Sequence, residues 1–531
     1  MAATTLLIHP DDDMLVALAD LAEGQTVDDA GQAITLCTPV AAKHKLARRD
    51  FAPGEVLKLY GVPVGKALHA IRRGEAVTTE NLVHHAAEPR LDGSAMSWQA
   101  PDVKAWQEQT FEGIVRKDGR VATANHWLVF PLVFCENRNI DQLRQALERP
   151  LGYAGDELAD YTLSLLGHTA KSSRRNRPFP NVDGVRFITH AGGCGGTRAD
   201  AKRLCKLLAA YADHPNVAGV TVLSLGCQNA QIAMFREALA EQNPAFDKPC
   251  LVYEQQQWGD EQAMMKAVLQ DTLKALTEAN EVRREPVPLS KLKIGVKCGG
   301  SDGFSGITAN PVLGLVSDRL VALGGASLLA EFPELCGVES ELISRCQNPA
   351  DRERFLALMK DFEARAQAVG ASLAENPSPG NIRDGLITDA MKSAGAARKG
   401  GGSPVVAVLD YGEQASKPGL SLLCTPGNDV ESVTALVASG AQLVLFTTGL
   451  GTPTGNPIAP VLKVSSNTPL ARRMSDLIDF DCGPVLEGVS AEQTAEQLLE
   501  LVRQTAGGEY ECKAERLRQY DWLFWKQDIS L

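Results

Sequence analysis

At 531 residues the chain exceeds one ordinary core and predicts two or three domains. A formal net charge of −12 argues against a basic nucleic-acid-binding face, no apolar run is long enough to span a bilayer, and the start MAATTLLIHPDDDM lacks a signal-peptide layout. The expectation is a cytoplasmic protein with no nucleic-acid or membrane partner, whose twelve irregularly spaced cysteines are thiols rather than a disulfide framework.

Residues 1–90 carry short runs such as TLLIHP, AITLCTPV and EVLKLYGVPVG, punctuated by Gly, Pro and Asp, which predict a small β domain with tight turns. Residues 91–110 are polar, contain Pro and have no period, as in a linker. From Phe111 the pattern becomes strand, turn, helix: VRFITH before RADAKRLCKLLAAYADH, VAGVTVLSLG before NAQIAMFREALAEQ, CLVYE before EQAMMKAVLQDTLKALTEA, then KIGVK. This is the pattern of a parallel sheet covered on both faces, so the expected class is α/β, with a central α/β domain over 111–374. An insertion at about 148–180 ends in a basic loop with Arg174, Arg175 and Arg177. VVAVLDYG, VESVTALVASG, QLVLFTTG and PVLKVSS then predict a second parallel-sheet domain over 375–531.

Three cysteines share one local setting, an apolar run followed by a glycine-rich turn: Cys194 in THAGGCGG, Cys227 in VLSLGCQN and Cys298 in KIGVKCGGSDG. Glycine permits positive φ and close backbone approach, so such turns can aim thiols into a crevice beyond the carboxyl ends of strands, where open α/β sheets bind ligands. Read alone, each is as well explained as a small buried hydrophobe. Together, with Cys135 after FPLVF as a fourth thiol, they are candidate ligands of a soft metal or an iron–sulfur cluster. The same predicted edge collects His190, Glu254, Ser301, Asp302, Thr308, Glu331, Glu334 and Thr448, of which Ser301, Asp302 and Thr308 are equally good helix caps. No Walker A, H-E-x-x-H, paired C-x-x-C or G-x-S-x-G element is present, which removes support for P-loop NTPases, common metalloproteases and serine hydrolases.

CGGSDGFSGITANPVLG (298–314), ENPSPGN (375–381) and FTTGLGTPTG (446–455) resemble signature segments of the altronate and galactarate dehydratases, the altronate enzymes being the closer. HPDDDMLVALADLAEG and HKLARRDFAPGE, with His9, His44 and Lys45, resemble that family's N-terminal SAF (β-clip) domain. The resemblance implies dehydration of a sugar acid, an altronate-like hexonate, to a 2-keto-3-deoxy acid with an iron requirement. On the matching segments it implies substrate contacts at His9, Lys45, Asn125, Ser301, Thr308, Asn310 and Thr448. Ala124 and Leu450 stand where the family usually has a cation, and Ala390 where an acid is usual ahead of Lys392. Arg174, Arg175 and Arg177 are therefore candidate replacements for the lost positive charge.

Dehydration requires a base to remove the proton α to the carboxylate and an acid at the departing hydroxyl, with electrostatic stabilisation of the charge between them. His190, His44, Lys392 and Asp302 are the candidates. Two cofactor readings stay open: a cluster on Cys194, Cys227 and Cys298 with Cys135 in reserve, or one Fe(II) or Mn(II) ion on His and carboxylate ligands. Alternatives to the dehydratase are a lyase expelling sulfite from a sulfonated hydroxy acid, a catalytically silent sugar-acid binding protein, and, more weakly, a nicotinamide-dependent oxidoreductase. The expected partner is a small sugar acid, with a homo-oligomer possible.

Overall fold

The structure is a computed structural model that describes residues 3–89, 98–153, 157–167 and 177–531. Short runs interrupted by Gly and Pro cannot make long ladders. The first domain accordingly consists of antiparallel strands of two to six residues, among them Met14–Ala17, Lys45–Ala47 and Val62–Ala67. Its interior is aliphatic, built on Leu15, Val27, Ile34, Leu36 and Leu46.

The β-branched runs that follow form two parallel sheets. The first has β1 (His126–Pro131), β2 (Gly184–Phe187), β3 (Val217–Ser224) and β4 (Cys250–Glu254) in the order β2-β1-β3-β4. The second has β5 (Lys293–Cys298), β6 (Ala326–Leu329), β7 (Val405–Leu409), β8 (Gly419–Leu423), β9 (Leu443–Thr448), β10 (Val461–Ser465) and β11 (Phe480–Asp481). Its order is β7-β8-β6-β5-β9-β10-β11, every pairing being parallel. β1, β5, β6, β8, β9 and β10 are almost wholly buried, as expected where helices cover both faces.

The boundary expected between 374 and 375 is corrected. β5 and β6 lie in one sheet with β7 to β11, so the long helix Pro349–Ala368 and the helices around 379–400 are an excursion within this domain. A composition shift at ENPSPGN marks a loop, whereas sheet membership depends on pairings about a hundred residues apart.

Helices Arg198–Asp213 and Asp429–Ala438, one from each α/β domain, pack side by side in the same direction: Tyr211 Oη donates to Thr434 O, and His214 Nε2 lies 3.2 Å from Ala441 O. The carboxyl edges of both sheets therefore open toward one side of the molecule. Among the described residues no helix is long and apolar enough to cross a membrane.

Candidate active site

In the seven-stranded sheet β6, β8 and β7 lie on one side of β5, β8 being inserted between β6 and the edge strand β7, and β9 to β11 follow in order on the other. The point where strand order reverses lies between β5 and β9, where an open α/β sheet forms its crevice. β5 ends there in Lys297 and Cys298, followed by Gly299 and Gly300. A side chain at Gly299 would meet Asp429 Oδ1 at 2.4 Å and the Phe446 ring at 2.5 Å, so only glycine lets the turn approach β9 and the helix that Asp429 begins.

The first domain closes on this crevice through residues 43–45. Lys43, at φ 75°, presses its backbone against two glycines, since a side chain at Gly303 or Gly385 would lie 2.4 or 2.3 Å from Lys43 O. Its ammonium reaches Asp384 Oδ1 at 2.7 Å and Asp302 Oδ2 at 3.1 Å. Burial alone would lower the Lys43 pKa, but Asp302 and Asp384 override it and keep the amine charged. His44 Nε2 sits 2.9 Å from Arg383 O, and the buried Lys45 ammonium donates to Gly385 O at 2.6 Å and to Lys43 O at 3.1 Å. Burial draws Lys45 down to about 7, with Asp302 opposing. Asp302 is fully buried, and its two oxygens are occupied by Ser305, Ser466, Asn467 and Lys43. It is suited to fixing Lys43 rather than to taking a proton. The neighbouring Ser301 hydroxyl is buried without a hydrogen-bond partner among the described residues.

Deeper lies a charged cluster. Glu331, at φ 74°, receives Lys297 on Oε1 and Lys399 on Oε2 at 3.0 Å, while Glu334 pairs with Lys392 at 2.8 Å. Cys298 Sγ stands 3.0 Å from Lys399 Nζ and 3.1 Å from Glu334 Oε2. Burial and the two carboxylates push the thiol up to about 12. Burial would raise Glu334, but the ammonium groups of Lys392, Lys399 and Lys297 prevail and hold it at about 2. Asp389, on the same helix as Lys392, is raised to about 8 by burial and by Glu334.

Depression of Glu334 fixes a pH window. Its contribution is complete above the ordinary value of 4.5 and is lost as pH falls through about 2. Glu334→Gln is expected to unfold more easily than wild type by about 3 kcal/mol near neutrality, the usual cost of breaking a buried ion pair. Thermal unfolding of both proteins should show that difference shrinking between pH 4.5 and 2.

The single thiol crevice expected from the sequence is corrected, because the four cysteines divide between two sheets. Cys298 is buried in the cluster above, whereas Cys135, Cys194 and Cys227 are exposed at the carboxyl edge of the four-stranded sheet. His190 stands beside them with both ring nitrogens engaged: Nδ1 accepts from Gly192 N–H at 3.1 Å, and Nε2 donates to Pro131 O at 2.8 Å. Burial lowers it to about 4. Both nitrogens brace the loop, and neither is free in this structure for the base role expected of it. Asn125 precedes β1 at the amino edge, away from either crevice, and bridges Asn181 O, Ala279 O and Arg116; Ala124 beside it is likewise remote. The structure does not bring Asn125, the substrate contact expected there, to either crevice. Thr308 and Asn310 are internal braces, to Ser466 O and to Thr447 with Gly395, and Thr448 accepts from Gly451 N–H in its own turn. His9 stays within the first domain, against Gly61 and Asp11. Arg177 stacks on Tyr153 at 5.3 Å, while Arg174 and Arg175 lie outside the described residues.

Sequence reasoning missed Lys43, Lys297, Lys399, Asp384 and Asn467. A lysine inside an otherwise apolar strand, as in KIGVKC, is the signal that was available for Lys297, since such an amine demands buried partners. Lys43 gave none, because its place depends on two domains meeting.

Comparison with known proteins covers nearly the whole chain. The model for the Altronate/galactarate dehydratase SAF domain matches residues 3–85, that for the D-galactarate dehydratase/Altronate hydrolase second domain 113–280, and that for the D-galactarate/Altronate dehydratase C-terminal domain 289–530. Altronate dehydratase of Escherichia coli (strain K12) is 35% identical over 525 residues, 99% of each chain. Altronate dehydratase of Bacillus subtilis (strain 168) is 35% identical over 510 residues, 94% of this chain and 95% of the relative. The (2R)-sulfolactate sulfo-lyase subunit beta of Chromohalobacter salexigens is 31% identical over 421 residues, 78% of this chain and 97% of the relative.

Proposed function

The chain belongs to the D-galactarate/altronate dehydratase family, and on that premise we propose that it is a metal-dependent hydro-lyase removing water from an altronate-like hexonate to give a 2-keto-3-deoxy sugar acid. The observation that carries the reading is the Lys43 ammonium, supplied by the first domain to the strand-switch crevice of the last and held charged by Asp302 and Asp384. A sugar acid brings a carboxylate, and an ammonium at a half-buried crevice mouth is a group to receive it. Lys43 thus provides the positive charge sought in the arginine loop. Its side chain is 20% exposed, so it remains within reach of a ligand.

His44 at Arg383 and the unpartnered Ser301 hydroxyl are the groups proposed for a substrate hydroxyl, and Lys392 with Glu334 is a buried acid–base pair. Tautomerisation of the enol product needs no further group. Iron is the metal proposed, with Mn2+ as the alternative; once bound, such a metal supplies a Lewis acid for the carboxylate and hydroxyl oxygens. Cys298, Glu331 and Glu334 do bring three ligand atoms within 4.8 Å of one another. That set does not fit a cation, because Lys297, Lys399 and Lys392 already neutralise both carboxylates at contact distance, and a divalent ion would displace or face three ammonium groups.

The reading is tested by incubating iron-supplied protein anaerobically with altronate, galactarate, other hexonates and sulfolactate, and assaying 2-keto-3-deoxy acid and sulfite. Keto acid from a hexonate is the expected result. Sulfite release would move the chain to sulfonate chemistry, and binding without turnover would make it a sugar-acid binder.

A further inference from the structure

Residues 521–531 form no helix and no regular strand, yet they lie across both α/β domains. Their first half is anchored by aromatic rings. Trp522 packs against His190 and Tyr211, with ring centroids 5.9 and 6.0 Å away, and Phe524 is buried. Trp525 stacks on Phe362 at 5.6 Å and meets Tyr411 edge-on at 5.2 Å. Contacts of this kind bury large apolar area and fix the chain as far as residue 525.

Beyond Trp525 the contacts change in character. Asp528 accepts from Thr197 Oγ1 at 2.7 Å and from Arg203 Nη1 at 2.9 Å. The buried Asp200 carboxylate receives the Gln527 and Asp528 N–H groups at 3.2 and 3.1 Å, and Leu531 N–H donates to Gly195 O at 2.9 Å. Ser530 pairs with Gly196 in one isolated antiparallel bridge, and Gln527 accepts from Arg365 at 2.7 Å. Apolar burial adds nothing, because Ile529 and Leu531, the only large hydrophobic residues after Trp525, are 71% and 82% exposed.

The segment therefore rests on the glycine-rich turn 191–197 through polar contacts. A few hydrogen bonds, each of modest net worth in water, stand against the entropy of ordering six residues, and the two quantities are of similar size. A segment in that balance opens locally while the structure beneath it stays folded. Beneath it lies a cavity of about 260 Å³, bordered on one side by the turn with Cys194 and Thr197 and on the other by Phe524, Lys526 and Ser530. The turn is held from its opposite side as well, where Asn229 Nδ2 donates to Gly196 O at 3.1 Å and Ala230 N–H to Gly193 O at 3.0 Å. Lifting the segment would remove one wall of the cavity and one of the two clasps on the turn.

We propose that residues 526–531 are a latch. Closed, they steady the turn 191–197 and wall the cavity; open, pivoting on the anchored Trp525, they uncover both. Asp528 is the catch, since its carboxylate joins the segment to Thr197 and Arg203 together. The latch is a property of the fold and holds whatever the substrate.

The test compares full-length wild type with Asp528→Ala and with a variant lacking residues 526–531. Trypsin under native conditions cuts after Lys526 only in the open form, so the rate at which residues 527–531 are released reports its population. Release is expected to be about tenfold faster in Asp528→Ala, the change that follows from losing a charge-assisted contact. Hydrogen exchange at amides 191–197 should speed up in step, and should be fastest in the shortened variant, while the thermal unfolding transition of Asp528→Ala stays at the wild-type temperature. Wild-type release and exchange in Asp528→Ala, or wild-type protection of 191–197 in the shortened variant, would overturn the proposal. So would a lower unfolding transition in Asp528→Ala that accounts for the faster release, because the segment would then be part of the core.

Discussion

Replacing Lys43 by methionine is expected to lower kcat/KM for the sugar acid by about 10²- to 10³-fold, the usual consequence of removing one preorganised electrostatic contact to developing charge. Lys43 is placed by its backbone, which fits against Gly303 and Gly385, and by two carboxylates, so methionine keeps the stem and deletes only the charge. Titration calorimetry with the keto-acid product should show weaker binding of a similar order. Lys43→Arg is not expected to rescue, because the larger guanidinium cannot occupy the contacts with both Asp302 and Asp384. If the substitution merely loosens the first domain, product affinity will be retained at low temperature and lost together with a lower unfolding transition.

Glu331→Gln is expected to produce the largest loss of stability, about 3–5 kcal/mol, the range for stranding a buried charge. At roughly 2–4 °C per kcal/mol for a domain of this size, calorimetry should find the last domain melting about 6–20 °C lower. The reason is that both Lys297 and Lys399 end on Glu331, and Lys399, wholly buried, keeps only Cys298 and a 3.8 Å contact to Glu334. Adding Lys399→Met should recover part of the loss, since removing both partners of a buried pair costs less than removing one. An additive double variant would show that the pair is not coupled.

The fold was legible wherever local pattern suffices. Alternating β-branched runs and helical periods announced both parallel sheets, and the punctuated first ninety residues announced the antiparallel domain. The failure near 374 has a plain cause: a strand carries no mark of which sheet it joins, and β7 pairs with β8 and thereby joins the sheet begun by β5. Asn125, expected as a substrate contact from the resemblance alone, precedes β1 at the amino edge of its sheet, where Arg116, Asn181 and Ala279 hold it, a placement that no local motif encodes.

Chemistry divides the same way. The sequence by itself determined the family through CGGSDGFSGITANPVLG and its companions, and marked each glycine turn that carries a thiol, because glycine and cysteine are placed by purely local needs. Only the tertiary structure decided that Cys298 is buried among lysines while Cys135, Cys194 and Cys227 share an open edge, that Lys43 of the first domain pairs with Asp302 and Asp384 of the last, and that both ring nitrogens of His190 are engaged in a loop. Burial, the identity of neighbouring charges and the docking of one domain on another are set by contacts between distant segments. The same thiol or amine is inert, paired or available according to those contacts, and no local pattern encodes them.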